Sequence, residues 1–199
     1  MIIREHFYKT YKEKFSKLNQ PKVDALNFIL DKLDKSKKFS LASEYAYILA
    51  TIKLECNDTY LPVAEGYWIK SNRKKALYKY YAANNPGALR TIFPNGASGI
   101  SYEGRGFVQC THNFNYAEFT KLLKINLTGK PDLAMEPETA WKICEIGMYK
   151  GIFTKKKLSE FVNESKTDYR NARRVINGLD RAEMIAGYAR DFYDCIEFN

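Results

Sequence analysis

Apolar side chains recur at helical spacing towards both ends of the chain and lose any period in the middle. Near the start, Phe7, Tyr11 and Phe15 return every four residues. After Pro21, the residues Val23, Leu26, Ile29, Leu30 and Leu33 trace one stripe. Ser40 is placed to cap a third helix with Ser43 and Glu44 in its first turn, and residues 45–54 are apolar enough for burial on most sides before Asn57-Asp58 ends the run. Residues 70–101 differ. Asn84-Asn85-Pro86-Gly87 and Pro94-Asn95-Gly96 are turn chemistry without a sustained period, so a long inserted loop or flap is expected there. Helical spacing resumes over 116–123 and 138–148, with a loop at Pro131-Asp132-Leu133 and a break at Gly151. A short helix is expected near 158–162. Asp168 is placed to cap a helix that runs to Ile176 and stops at Asn177-Gly178. The last helix, 181–196, turns Met184, Ile185, Tyr188, Phe192 and Ile196 inward. Strand signal is slight, and there is no repeat or linker. The pattern predicts one mainly α domain over 1–199, with minor irregular or β-hairpin pieces around a substrate cleft.

The segment from Tyr102 to Tyr116 adds candidate chemistry. Gly104 and Gly106 flank Arg105, and Gln109, Thr111, Asn113 and Asn115 follow among aromatic residues. Glycine lets a backbone approach another group closely. Rings beside amides and hydroxyls suit a sugar, with its apolar faces and hydroxyl rim. A glycine-kinked turn whose polar groups face water fits the same letters. Glu55 ends the apolar run of the third helix. A carboxyl desolvated on one side favours its protonated form, which suits a general acid. Glu65 lies in the kinked aromatic stretch from Leu61 to Trp68. Two carboxylates on separate elements are what glycoside hydrolysis needs, one protonating the leaving oxygen and the other activating water or attacking carbon. Asp58 and Glu103 compete with Glu65 for the second place.

Composition narrows the partners. The chain has 199 residues, 45% of them hydrophobic, enough for a domain with a real core. A formal charge of +9 favours anionic partners: nucleic acid, a membrane surface or an anionic cell-wall polymer. The lysines are spread widely and no nucleic-acid-binding signature is present, so nucleic acid is not the expected partner. Cys56, Cys110, Cys144 and Cys195 are scattered, and His6 and His112 are the sole histidines. Buried reduced thiols are expected, with no metal and no cofactor. Met1 to His6 lacks the apolar run of a secretory signal, and no stretch approaches membrane-spanning length. The expectation is a monomer made in the cytoplasm, without stable membrane insertion, acting outside after release.

Several stretches taken together resemble glycoside hydrolase family 19. They are Ala50 to Glu55, Pro62 to Trp68, Tyr102 to Thr111, Asn113 to Tyr116, Pro131 to Ala134, Gly147 to Thr154 and Asn171 to Arg181. Within that superfamily they are more similar to phage and prophage cell-wall hydrolases (endolysins). The resemblance spans nearly the whole chain except 70–101. It implies a lysozyme-like, mainly α fold and inverting hydrolysis of a β-1,4 bond next to N-acetylglucosamine, in peptidoglycan or a chitin-like polysaccharide. It implies Glu55 as general acid, Glu65 as base and Thr111 as the holder of the attacking water. Gln109, Asn115 and Asn177 match amides that line sugar subsites, and Tyr102 and Trp68 join them as substrate-binding candidates. The chain departs from the family pattern at Leu54, which replaces a histidine, and at His112, which replaces an aromatic. It departs again at Glu103, which adds charge, and in Asn177-Gly178-Leu179. Rival readings are a chitinase and a non-catalytic binding protein for wall glycans.

Overall fold

The computed structural model describes residues 1–15 and 17–199. Among them run α1 (Arg4–Lys14), α2 (Gln20–Asp34), α3 (Ala42–Glu55), β1 (Val63–Ala64), α4 (Arg73–Asn84), α5 (Pro86–Ile92), β2 (Arg105–Gly106), α6 (Asn113–Leu123), α7 (Pro137–Lys150), β3 (Val162–Asn163), β4 (Lys166–Thr167), α8 (Tyr169–Ala172) and α9 (Ala182–Cys195). Short 3-10 turns fall at Pro131–Met135, Leu158–Glu160 and Arg173–Val175. The protein is mainly α, as the periodicity predicts, with two small two-stranded sheets: β3 and β4 form a hairpin, whereas β1 and β2 are connected through α4 and α5. The chain divides into two units: Met1–Tyr60 with Glu145–Asn199, and Leu61–Cys144.

In the first unit α3 is the central helix. Every residue from Ser43 to Lys53 is buried, which is why its sequence is apolar nearly all round. It packs on α9, which also receives α1 and α8. Phe15, just past the end of α1, lies 4.7 Å from Tyr11 and 4.6 Å from Phe192 between ring centroids. The Tyr11 and Tyr60 hydroxyls meet at 2.9 Å inside the same cluster. Each fully buried ring of this kind contributes about 1.5–3 kcal/mol.

Caps follow the sequence in part. Asn19 Oδ1 accepts from the Lys22 amide at 3.0 Å, and Asp168 Oδ1 from the Asn171 amide at 3.0 Å. Ser40 does not cap α3. Leu41 holds the N-cap position, and Glu44 Oε2 accepts from the Ser40 and Leu41 amides at 2.9 and 3.1 Å. That carboxylate reaches back to amides that precede the helix, which is not the cap expected of the serine hydroxyl. The helix expected from Asp168 to Ile176 is instead the one-turn α8 followed by the 3-10 turn at Arg173–Val175. Met184, expected inward, is 49% exposed. The inner face of α9 is carried by Ala182, Ile185, Ala186, Ala189 and Phe192, a stripe that Met184 misses by one helical step.

In the second unit the expected loop over 70–101 is corrected to two helices. α4 and α5 close on a small core of their own, Leu77, Ile92 and Phe93, with Ile69, Tyr78 and Tyr81 against it. The turn letters at 84–87 do not end helical structure; they join two helices. Asn85 is the N-cap of α5 and Pro86 opens it, where a missing N–H costs nothing. The strand β1 pairs antiparallel with β2, Val63 opposite Gly106 and Ala64 opposite Arg105. Gly106 has φ +85°, and a Cβ there would meet the Ala134 carbonyl oxygen at 2.9 Å, so only glycine lets β2 lie on the turn at Pro131–Met135.

Arg105 ties this strand pair down. Its Nη1 donates to the Ser101 and Glu103 carbonyls at 3.2 and 3.0 Å, Nη2 to Glu103 Oε1 at 3.0 Å, and Nε to Asp132 at 2.8 Å. The arginine between the two glycines is a brace.

Candidate functional site

Glu65 follows β1, and pairing with β2 carries it onto the glycine-flanked segment. Its backbone N–H donates to the Gly104 carbonyl at 2.7 Å, and the Gly104 N–H donates back to Glu65 Oε2 at 3.0 Å. The Tyr81 hydroxyl donates to the other oxygen at 2.8 Å. Burial first, and then the Glu65 charge, push the Tyr81 phenol far above its ordinary range, so it stays a donor. Arg73 Nη1 holds the Glu65 carbonyl at 2.7 Å. The carboxylate is half-buried with each oxygen accepting one bond.

The same unit gathers Gln109, Thr111 and Asn115. The Thr111 hydroxyl donates to the Gln109 carbonyl at 2.8 Å, which leaves its lone pairs to accept a hydrogen from water. Gln109 Nε2 donates to the Val63 carbonyl at 2.9 Å, locking the segment to β1. The buried Asn115 donates through Nδ2 to the Thr111 carbonyl at 2.8 Å, and its Oδ1 has no hydrogen-bond partner among the described residues. Gln109 and His112 have φ of 51° and 73°, a backbone that side chains adopt only when the surroundings enforce it. Such enforcement fixes where Thr111 points.

His112 Nδ1 lies 2.9 Å from Thr91 Oγ1, which is also 3.0 Å from the Ala88 carbonyl oxygen. The His112 ring stacks on Phe114 at 5.1 Å and 8°, and Phe114 is exposed. Trp68 is 68% exposed beside Tyr67, edge to face at 5.3 Å. Tyr102 is buried, with its hydroxyl given to the Thr128 carbonyl at 2.9 Å.

Glu55 belongs to the first unit, at the last residue of α3. It is not the lone carboxyl on an apolar helix that the sequence suggests, because Arg173 Nη1 sits 2.5 Å from Oε1. Arg173 is itself buried, and its Nε donates to the Asp180 carbonyl at 3.0 Å. The Asn177 amide donates to the Arg173 carbonyl at 3.0 Å, and its side chain is exposed. The turn at Arg173–Val175 thus holds both the partner of Glu55 and the exposed amide of Asn177.

The rival carboxylates are committed elsewhere. Asp58 Oδ2 accepts from Lys22 at 2.7 Å and Oδ1 from Lys53. Burial raises its carboxyl, but those two lysines outweigh burial and hold it below the usual range. Glu103 is 0% exposed between Arg105 and Arg73, each at 3.0 Å. Its charge, expected near the cleft, is sealed inside the second unit.

No family model matches the chain. Among solved structures, a bacterial family 19 chitinase aligns over 98% of this chain and 95% of that one, at 18% identity and a TM-score of 0.47. At a TM-score below 0.5 the alignment assigns neither chemistry nor substrate, and function rests on the side chains. Sequence reading named Glu55, Glu65 and the residues around Thr111. It missed Tyr81, inside the stretch read as loop, and Arg173, a basic residue with no visible partner. Among the described residues no group of three or more metal-ligating side chains gathers, and no helix is long and apolar enough to cross a membrane. The four cysteines are buried.

Proposed function

We propose that this chain is an inverting glycoside hydrolase that cleaves β-1,4 bonds in the glycan backbone of peptidoglycan, acting at the cell wall as a single catalytic domain of the endolysin kind. Glu55 donates its proton to the leaving oxygen as the glycosidic bond breaks. Glu65 takes a proton from water as the water oxygen bonds to the anomeric carbon. Thr111 orients that water by accepting one of its hydrogens. Arg173 holds Glu55 in place, and Tyr81 with Gly104 holds Glu65. Asn115 Oδ1 accepts from an acetamido N–H, Gln109 and Asn177 extend the amide lining, and Trp68 stacks on an apolar sugar face. Tyr102 supports the segment from behind. Asp58 and Glu103 are set aside because their carboxylates are held by lysines and arginines.

The observation that carries this reading is the reciprocal pair between Glu65 and Gly104. It joins a carboxylate to the segment that carries Gln109, Thr111 and Asn115, which is the base-and-water half of an inverting site. Charge favours peptidoglycan over uncharged chitin. From Gly66 to Tyr102 the chain has six cationic side chains and no acidic one.

Mass spectrometry of digested peptidoglycan tests the reading by naming the bond cut. Glu55→Gln is expected to lower the rate about a hundredfold or more. A rate within a few-fold of wild type would remove Glu55 from its role. Cleavage of chitin oligomers without cleavage of purified peptidoglycan would make the protein a chitinase. Tight glycan binding with no cleavage would make it a binding protein.

A further inference from the structure

The second unit holds a cavity of about 610 Å³ bounded by the start of α4, by β2 and by the turn at Pro131–Met135. That is the size of a small-ligand pocket. Ile100, Pro131 and Leu133 give it an apolar patch. Its charged groups fall into two sets. Glu103 and Arg105 are bound to each other at 3.0 Å inside the wall, with side chains 0% and 4% exposed, and they serve the fold. The others keep hydrogen-bonding capacity for a ligand. Lys74 Nζ gives one bond, to the Gly99 carbonyl, which leaves two of its three hydrogens. Exposed Lys130 makes no ion pair or side-chain hydrogen bond among the described residues. The exposed carboxylate of Glu136 has no partner among them either. Asp132, 85% exposed, commits only Oδ1, to Arg105 Nε at 2.8 Å. Arg73 links this cavity to the proposed site. Its Nη2 donates to Glu103 Oε1 at 3.0 Å in the wall, and its Nη1 to the Glu65 carbonyl at 2.7 Å. One arginine side chain therefore separates the cavity from the proposed base.

Uncommitted groups of both signs beside a small apolar patch match a ligand that carries carboxylates and an amine on a short backbone. A neutral sugar offers no such charges, and a polyphosphate offers only one sign. We propose that this cavity receives the peptide stem of peptidoglycan, an inference that rests on the hydrolase reading above. Lys74 and Lys130 take the stem's carboxylates, Asp132 and Glu136 take the amine of its diamino acid, and Ile100 with Leu133 meets its alanine methyls. Contact with the peptide lets the enzyme choose wall glycan over chitin by charge pairing away from the bond that is cut, since the sugars of the two polymers are closely alike.

The test titrates the full chain with an N-acetylated stem tetrapeptide of alanine, D-glutamate, lysine and D-alanine, and follows backbone amide resonances. Saturable shifts are expected at Ile100, Gly129 and Lys130. Lys130→Ala is expected to weaken binding about fivefold or more, and amidating both peptide carboxylates to weaken it further. Glu136→Gln is expected to weaken the peptide with a free lysine amine and to leave unchanged one whose amine is acetylated. Both side chains are exposed and unpartnered among the described residues, so both variants are expected to fold as wild type and to cleave a peptide-free oligosaccharide at the wild-type rate. No saturable shift overturns the proposal, as do shifts confined to residues outside the cavity or undiminished affinity in Lys130→Ala. Cleavage of peptidoglycan without peptide binding removes this site and keeps the hydrolase reading. Peptide binding at the cavity with no cleavage of any glycan keeps the site and removes that reading.

Discussion

At the scale of single residues, Thr111 is the sharpest probe of mechanism. Its hydrogen is committed to the Gln109 carbonyl, so its contribution to reaction is as an acceptor aimed by an enforced backbone. Thr111→Val keeps the shape and removes the oxygen. It is expected to lower kcat about tenfold or more while leaving KM within a few-fold, because water is positioned only on the way to the transition state. Thr111→Ser is expected to stay near wild type. Steady-state kinetics on one soluble oligosaccharide separates these outcomes. Thr111, Gln109 and Asn115 were readable as candidates because they crowd one short segment. Tyr81 and Arg173 were not, since their carboxylate partners lie 16 and 118 positions away and neither residue carries a local mark of that pairing.

At the scale of elements, the pairing of β1 with β2 depends on a buried charge network. Glu103 faces Arg105 and Arg73 with no exposure, and Arg105 continues to the exposed Asp132. Removing one partner of such a pair leaves the others uncompensated, so Glu103→Gln is expected to cost about 3 kcal/mol in denaturant unfolding. The pH dependence has a definite sign. Burial raises the Glu103 carboxyl, but Arg105, a Ser101 hydrogen bond and Arg73 outweigh it and hold the group below its ordinary range. The stability from this pairing is complete above about pH 4.3, the unfolded value, and is lost as pH falls through the lower folded value. The glutamine variant is expected to show a flatter acid limb. His112 adds to acid sensitivity, because burial lowers its pKa and favours the neutral ring. Its share is present above about pH 6.5 and is lost as pH falls below that. Helices with one clean apolar stripe were legible from period alone. α4 and α5 were not, because they bury their few large side chains on each other and leave lysines and turn residues outside.

At the scale of the molecule, charge is distributed unevenly. Lys75 and Lys79 are exposed one turn apart on α4, within the acid-free stretch from Gly66 to Tyr102. Replacing both with glutamine is expected to weaken sedimentation with isolated cell walls several-fold at low salt. The difference is expected to vanish near 1 M salt, where the screening length is about 3 Å. Cleavage of a short uncharged oligosaccharide by the same variant is expected to remain at the wild-type rate. The mainly α class was legible in the sequence, whereas the two units were not. One of their boundaries falls inside α7, between Cys144 and Glu145, where the helix runs on unbroken.

The bond from Gly104 to Glu65 is made by the main chain, and alanine scanning cannot see it. Every residue except proline supplies the same N–H. A substitution at 104 instead reports the missing Cβ, which would lie 2.7 Å from Gln109 Oε1. Replacing the amide before residue 104 with an ester removes the donor alone. The grip on Glu65 is therefore inherited with the strand pair, leaving side chains around it free to drift between related sequences without releasing the carboxylate.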